Sequence, residues 1–247
     1  MRKYLLNAFL VLLLANSCQV ETARMSDYEV QGIDISHHQS FLNWDTIKAQ
    51  DIDFAFVKAT EADNFVDSLF AYNWNEMRRV QIKRGAYHFF RPNVSVTEQV
   101  NNFIANVCIE EGDLPPVLDI ERLDGVAPAL VAKRANEWLK AIRIHYNIQP
   151  IVYTNLTFYN EHLYGSIDDV TLWIARYNAQ MPLLRKNNWD FWQYGNKGKL
   201  QGIDGFVDFN VYKGSMEELE HICFQPTYSY SYNAIDLCTT TLQFPFE

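Results

Sequence analysis

Asp119 and Glu121, in the run Pro-Pro-Val-Leu-Asp-Ile-Glu at 115–121, are the acids of this chain best spaced to do chemistry together. Side chains two apart on a strand share a face, so both carboxylates point at one place from the end of an apolar segment. An acid and a base held side by side in that way are what cleavage of a glycosidic bond requires. The competing explanation is a strand end that is acidic without further purpose, since helix N-termini also attract acids. The elements around the pair decide between the two.

Short runs rich in Val, Ile, Phe and Tyr at 30–35, 54–59, 85–90, 117–121 and 151–154 read as strands. Between them, 44–50, 68–80, 96–110, 127–146 and a shorter piece near 158–163 carry the amphipathic pattern of helices. This alternation predicts a parallel sheet covered on both faces. Beyond position 171 the runs 171–177, 191–194 and 207–212 are strand-like, but their connections leave no room for a full helix. The expected fold class is α/β: a modified TIM-like barrel of five βα units followed by three mostly antiparallel strands.

A barrel places its working residues at the C-terminal ends of its strands. The predicted strands end in Asp34 and Ser36, in Lys58 and Glu61, in Tyr87, His88, Phe89 and Arg91, and in Asp119 and Glu121. The later ones end in Tyr153, in Trp173 to Tyr177 and in Trp192 and Gln193, and the last carries Asp208 and Asn210. Several carboxylates therefore converge on one mouth.

These segments resemble glycoside hydrolase family 25, the lysozymes of Chalaropsis type. The likeness runs from Gly32 to about Gly214 through Gly-Ile-Asp-Ile-Ser-His-His-Gln at 32–39, Lys-Ala-Thr-Glu at 58–61 and Arg-Gly-Ala-Tyr-His-Phe-Phe-Arg-Pro at 84–92. It continues through the run at 115–121, Tyr-Thr-Asn at 153–155, Trp-Ile-Ala-Arg-Tyr at 173–177, Trp-Gln-Tyr at 192–194 and Gly-Ile-Asp-Gly-Phe-Val-Asp-Phe-Asn at 202–210. The resemblance implies hydrolysis of the β-1,4 bond after N-acetylmuramic acid in peptidoglycan, with glycan strands as the partner. It implies Glu121 as general acid, Asp119 as its partner, and Asp34 and Asp208 as supporting acids. A substrate-assisted route, a covalent intermediate and direct attack by water all stay open for Asp119. Ser36, Gln39, Lys58, Tyr87, Phe89, Tyr153, Trp173, Trp192, Gln193 and Asn210 are candidates for substrate contact. Lys58 is expected to pair with an acid rather than to transfer protons, and at least one of His37, His38 and His88 to be structural. Two positions depart from the family's pattern: Ala62 stands where a Gly is usual, and Val80-Gln81 replaces a small Ala-Gly pair.

The chain has 247 residues, 48% of them hydrophobic, and a formal charge of −9, which suits one large core and argues against binding a phosphate backbone. Nucleic acid is excluded as a partner on that ground, no cofactor or metal is expected, and a monomer is expected. Arg2 and Lys3 precede an apolar run over 4–15, the form of an export signal, too short to span a membrane. Leu-Ala-Asn-Ser-Cys at 14–18 resembles a lipobox, which would make Cys18 a lipid-bearing anchor and the only membrane contact; ordinary secretion or a periplasmic location is the alternative. The expected division is a signal over 1–18, a polar linker over 19–28, the barrel over 29–215 and an extension over 216–247. In an oxidising compartment Cys223 and Cys238 can close a hairpin in that extension, where Tyr228, Tyr230 and Tyr232 alternate, while Cys108 reads as a buried small hydrophobe on a helix. Two other function classes fit the same residues: a wall-binding module that does not cut, and a glycosidase for another N-acetylated glycan.

Overall fold

Each apolar run forms a strand and each long amphipathic stretch a helix, in a computed structural model that describes residues 21–167, 170–178, 180–185 and 189–226. The order is β1 (Val30–Ile35), α1 (Trp44–Lys48), β2 (Phe54–Glu61), β3 (Phe65–Val66), α2 (Phe70–Arg79), β4 (Lys83–Phe89), α3 (Val96–Asn106) and β5 (Val117–Asp119). There follow α4 (Pro128–Tyr146), β6 (Ile151–Asn155), α5 (Leu156–Phe158), a π-helical turn (Tyr159–Leu163), β7 (Thr171–Ala175), β8 (Phe191–Gly198), β9 (Val207–Tyr212) and α6 (Met216–Ile222). Local chemistry marks the helix ends. Ser95 caps α3 by accepting the Glu98 N–H, Pro128 opens α4, and Asn147 ends α4 in a left-handed turn at φ 52°.

Eight strands close a barrel in the order β1-β9-β8-β7-β6-β5-β4-β2, with β1 pairing back to β2, and β3 folds onto β2 at the rim. The α/β modified barrel expected from the sequence is therefore the observed fold. Its antiparallel part is confined to β9, which runs against both β8 and β1, whereas β7 and β8 remain parallel to β6. The length of the 176–190 connection explains this, since a parallel pair needs a crossover of about a dozen residues or more. The short β3 was not anticipated, because Phe65 and Val66 make too brief a run to read as a strand.

Alternation along the strands sorts residues between the barrel's interior and its helical coat. Inside lie Phe54 and Phe56 of β2, Val117, Ile151, Tyr153, Trp173 and Phe191, one buried cluster. Phe56 stacks on Trp173 at 4.4 Å and meets Phe191 edge-on at 5.3 Å. Burial of a side chain of this size stabilises by about 2–3 kcal/mol. Gly32 and Gly85 make room for it, since a Cβ at either would come within 2.3 or 2.4 Å of the Phe54 or Phe56 ring. Outside, Ile33, Ile35, Val57, Leu118, Ile120, Val152 and Ile174 join the buried faces of the helices. His88 belongs to this coat: Thr60 Oγ1 lies 2.7 Å from its Nδ1, Gln99 Oε1 lies 3.1 Å from its Nε2, and the ring stacks on Trp138. Burial pulls its pKa down to about 4, so it is a neutral structural histidine.

The extension after the barrel begins with α6, whose Leu219 is buried against the barrel, and Phe224 continues the packing. The pairing expected for Cys223 is overturned. Cys223 is a free, buried thiol turned toward the Leu219 carbonyl at 3.3 Å, and burial pushes its pKa up to about 11. Cys108 is the residue in a disulfide, and it lies past the end of α3, half-buried, rather than on the helix. Spacing along the chain suggested the first pairing, but a disulfide depends on which way the Cβ vectors point, and that of Cys223 is aimed into the core. Cys18, Cys238, Tyr228, Tyr230, Tyr232 and the apolar run over 4–15 lie outside the described residues.

Candidate active site

The C-terminal ends of the parallel strands and the N-terminal end of antiparallel β9 open into a cavity of about 300 Å³ lined by Asp34, Ser36, His38, Lys58, Tyr87, Phe89, Asp119, Glu121, Tyr153, Trp173, Tyr177, Gln193 and Asp208. Every strand from β1 to β9 except the rim strand β3 contributes at its end, and the contributing positions are those whose side chains alternate inward. β5 stops at Asp119, so Glu121 stands two residues beyond the paired strand, where the Ile120 N–H to Tyr153 carbonyl bond at 2.9 Å keeps the backbone extended. Both acids reach the same cavity.

Asp34 is the best-held of the carboxylates. The amides of Gln193 and Asn210 each donate to its Oδ2 at 2.7 Å. Asn210 in turn accepts the Trp173 indole N–H at 2.8 Å, and Gln193 Oε1 accepts the hydroxyls of Tyr153 at 2.8 Å and Tyr177 at 2.9 Å. Asp208 faces Asp34 across the β1–β9 register. Burial, eased by the two amides and reinforced by the charge of Glu121, pushes the Asp34 pKa up to about 6. Burial together with Asp34 and Glu121 pushes Asp208 up to about 8.

Asp119 is nearly inaccessible, and its Oδ1 receives no hydrogen bond. Burial, then the charge of Glu121, holds its carboxyl well above the ordinary range, with Lys58 pulling the other way. Glu121 is raised by burial as well, against Arg122 and Lys58. Desolvation is thus the first cause at Glu121. The two acids compete for protons, so what titrates is the pair.

Lys58 bonds Glu61 at 2.6 Å and sits 5.0 Å from the centre of the Phe89 ring, which makes it a paired charge of the wall. Glu61 is fixed further by Arg91 at 3.1 Å, and Arg91 by Asp124 at 2.6 Å.

Three residues expected to contact substrate do not line the cavity. Trp192 alternates with Gln193, so it points outward; it packs against Trp189 and Tyr28 and donates to the Arg176 carbonyl at 2.9 Å. Gln39 caps the turn at His37–Gln39 by accepting the Ser36 N–H at 2.9 Å. Asn210 is fully buried behind Asp34 and holds it. Tyr177 and His38, by contrast, line the cavity without having been singled out as contacts. Tyr177 was legible, since it continues the parity of Trp173 and Ala175. His37 and His38 lie on a 3-10 turn, with ring centres 4.1 Å apart. Among the described residues, no three or more His, Cys, Asp or Glu side chains are grouped as a metal ion would need.

Comparison with known proteins agrees with this arrangement. The profile of Glycosyl hydrolases family 25 matches residues 33–203. Lysozyme M1 of Streptomyces globisporus is 33% identical over 205 residues, covering 77% of this chain and 70% of that protein. The N,O-diacetylmuramidase of Chalaropsis sp. is 27% identical over 213 residues, covering 78% and 98%. The solved structure of a family 25 glycosyl hydrolase from Bacillus anthracis superposes with a TM-score of 0.78 at 31% identity, covering 84% of this chain and 99% of that one.

Proposed function

The chain belongs to glycosyl hydrolase family 25, and on that premise we propose that it is a lysozyme, an N-acetylmuramidase that hydrolyses the β-1,4 bond between N-acetylmuramic acid and N-acetylglucosamine in peptidoglycan. The observation that carries this reading is the convergence of Asp34, Asp119, Glu121 and Asp208 on one cavity, each with its pKa raised by burial. A glycosidase needs a carboxyl that keeps its proton until a leaving oxygen arrives and a carboxylate that answers the positive charge left on the sugar. We assign the first task to Glu121, which stands at the open end of the pair, and the second to Asp119 beneath it. They hold a proton between them, delivered from Glu121 when the bridging oxygen lies against it; water then adds to the anomeric carbon and its proton restores the pair. Asp34, locked by Gln193 and Asn210, and Asp208 keep the floor acidic and offer hydrogen bonds to the sugar. Ser36, Tyr87, Phe89, Tyr153 and Trp173 form the wall the sugar meets.

Export with a lipid anchor on Cys18, a working monomer and a barrel domain over 29–215 complete the proposal. The apolar run at 4–15 and the Leu-Ala-Asn-Ser-Cys segment support the first of these.

The test is digestion of purified peptidoglycan by the protein and by Glu121→Gln, followed by borohydride reduction and mass spectrometry of the released fragments. Reduced muramic ends, absent with Glu121→Gln, are expected. Reduced glucosamine ends would overturn the specificity, and binding without release from several wall types would make the protein a wall-binding module.

A further inference from the structure

On one side of the cavity its wall continues outward as a ridge of rings to which the reading above gives no task. His38 is exposed and lines the cavity. Its ring centre lies 4.1 Å from that of His37, which in turn lies 6.0 Å from Phe65 on β3. Phe65 is 39% exposed, beside Val66 at 41%. Lys58 stands between this ridge and the cavity, 5.2 Å from the Phe65 ring and 5.0 Å from that of Phe89, so the two surfaces are continuous.

The ridge is clamped. Asp67, 2% exposed, approaches His37 Nδ1 to 2.6 Å and accepts the His37 backbone N–H at 3.0 Å, both through Oδ2, while its Oδ1 accepts the Leu69 N–H at 3.0 Å. A carboxylate on Nδ1 sets the orientation of the ring and leaves Nε2 facing away. Lys58 beside the ridge is paired with Glu61, and Asp67 occupies the Nδ1 side of His37. A fixed row of rings with polar edges, running on from a sugar-sized cavity, matches the apolar face of a pyranose.

We propose that His38, His37 and Phe65 form a stacking ledge for a second sugar ring of the glycan strand, the neighbour of the ring in the cavity, with Asp67 as a positioning residue. The identity of the strand rests on the muramidase reading; the ledge itself is a claim about binding. It makes the protein sensitive to chain length.

The experiment reads binding without turnover. In Glu121→Gln protein, calorimetry measures the Kd of free N-acetylmuramic acid, whose one ring fills only the cavity, and of a peptide-stripped glycan strand of three disaccharide units. The strand is expected to bind about tenfold more tightly, the equivalent of one good ring contact. Adding Phe65→Ala, at an exposed position where folding is safe, should reduce that gain to less than about threefold, and adding Asp67→Asn should reduce it in the same direction. Equal weakening of both ligands, no weakening of either, or no binding of either would overturn the ledge. Failure of the muramidase reading shows separately, as absence of muramic reducing ends from the Glu121-containing protein.

Discussion

Asp113 and Asp119 are buried aspartates at opposite ends of the same short stretch of chain, and the fold treats them in opposite ways. At the closed end of the barrel, Asp113 accepts from Arg84 through both carboxylate oxygens, at 2.7 and 3.0 Å, and from the Glu110 N–H at 2.8 Å. Arg84 also donates to the Trp74 carbonyl and stacks on the Trp74 ring at 4.1 Å, with Glu110 beyond. At the open mouth, Asp119 has a buried oxygen with no partner and shares its cavity with three more acids. Burial raises both carboxyls, but only at Asp113 does a guanidinium pull back. A buried charge that is fully answered holds structure together; one left unanswered is available to a substrate.

The sharpest way to break this comparison is to neutralise each end in turn. Glu121→Gln and Asp119→Asn should each lower kcat on peptidoglycan by about 10²–10⁴-fold, the range of a proton-transfer group, while the thermal midpoint stays level or rises. A variant that unfolds instead would show that the mouth acids are structural after all. Arg84→Met should do the reverse, costing about 3–5 kcal/mol by leaving Asp113 buried and unpaired, with kcat per folded molecule nearly unchanged. Urea unfolding and active-site titration of the same sample separate the two effects.

A gentler probe is pH. Asp34 and Asp208 have folded pKa values raised to about 6 and about 8, against about 4 in an unfolded chain. The folded state therefore keeps protons that the unfolded chain has released. The stability this confers is complete below about pH 4 and is lost as pH rises through about 6 and then about 8. The thermal midpoint should fall between pH 5 and pH 8, and Asp208→Asn should remove the upper part of the fall. Parallel profiles for the two proteins would mean that the mouth acids are not held protonated.

The smallest effect lies at neither end. Ala62 and Gln81, the two departures from the family's glycines, both take left-handed backbone, with φ of 50° and 58°. Ala62→Gly and Gln81→Gly should each raise stability by about 1 kcal/mol, read by urea denaturation. That gain calibrates how little local strain contributes beside the charge arrangement at Arg84 or the mouth.

Much of the site was legible because strand parity is a local property. Asp34, Ser36, Lys58, Tyr87, Phe89, Asp119, Glu121, Tyr153, Trp173, Gln193 and Asp208 all line the cavity, as their places at strand ends suggested. Trp192 was misread against the same rule, since it and Gln193 are neighbours on one strand and cannot face the same way. Tyr177 was missed although its parity agrees with that of Trp173. Gln39 and His38 could not be read by parity at all, because they sit on a 3-10 turn.

The order of elements, the barrel and the convergence of acids on one mouth were determined by the sequence itself, through hydrophobic period and the spacing of polar residues at strand ends. The partner of each acid was decided only by tertiary structure. Gln193 and Asn210 meet Asp34 across 159 and 176 positions of chain, when β8 and β9 close the barrel. No local pattern carries that register, nor shows that Arg84 would answer Asp113 while Asp119 went unanswered, nor that Cys223 would turn inward while Cys108 formed a disulfide. Period belongs to neighbours in sequence, whereas desolvation and pairing belong to neighbours in space.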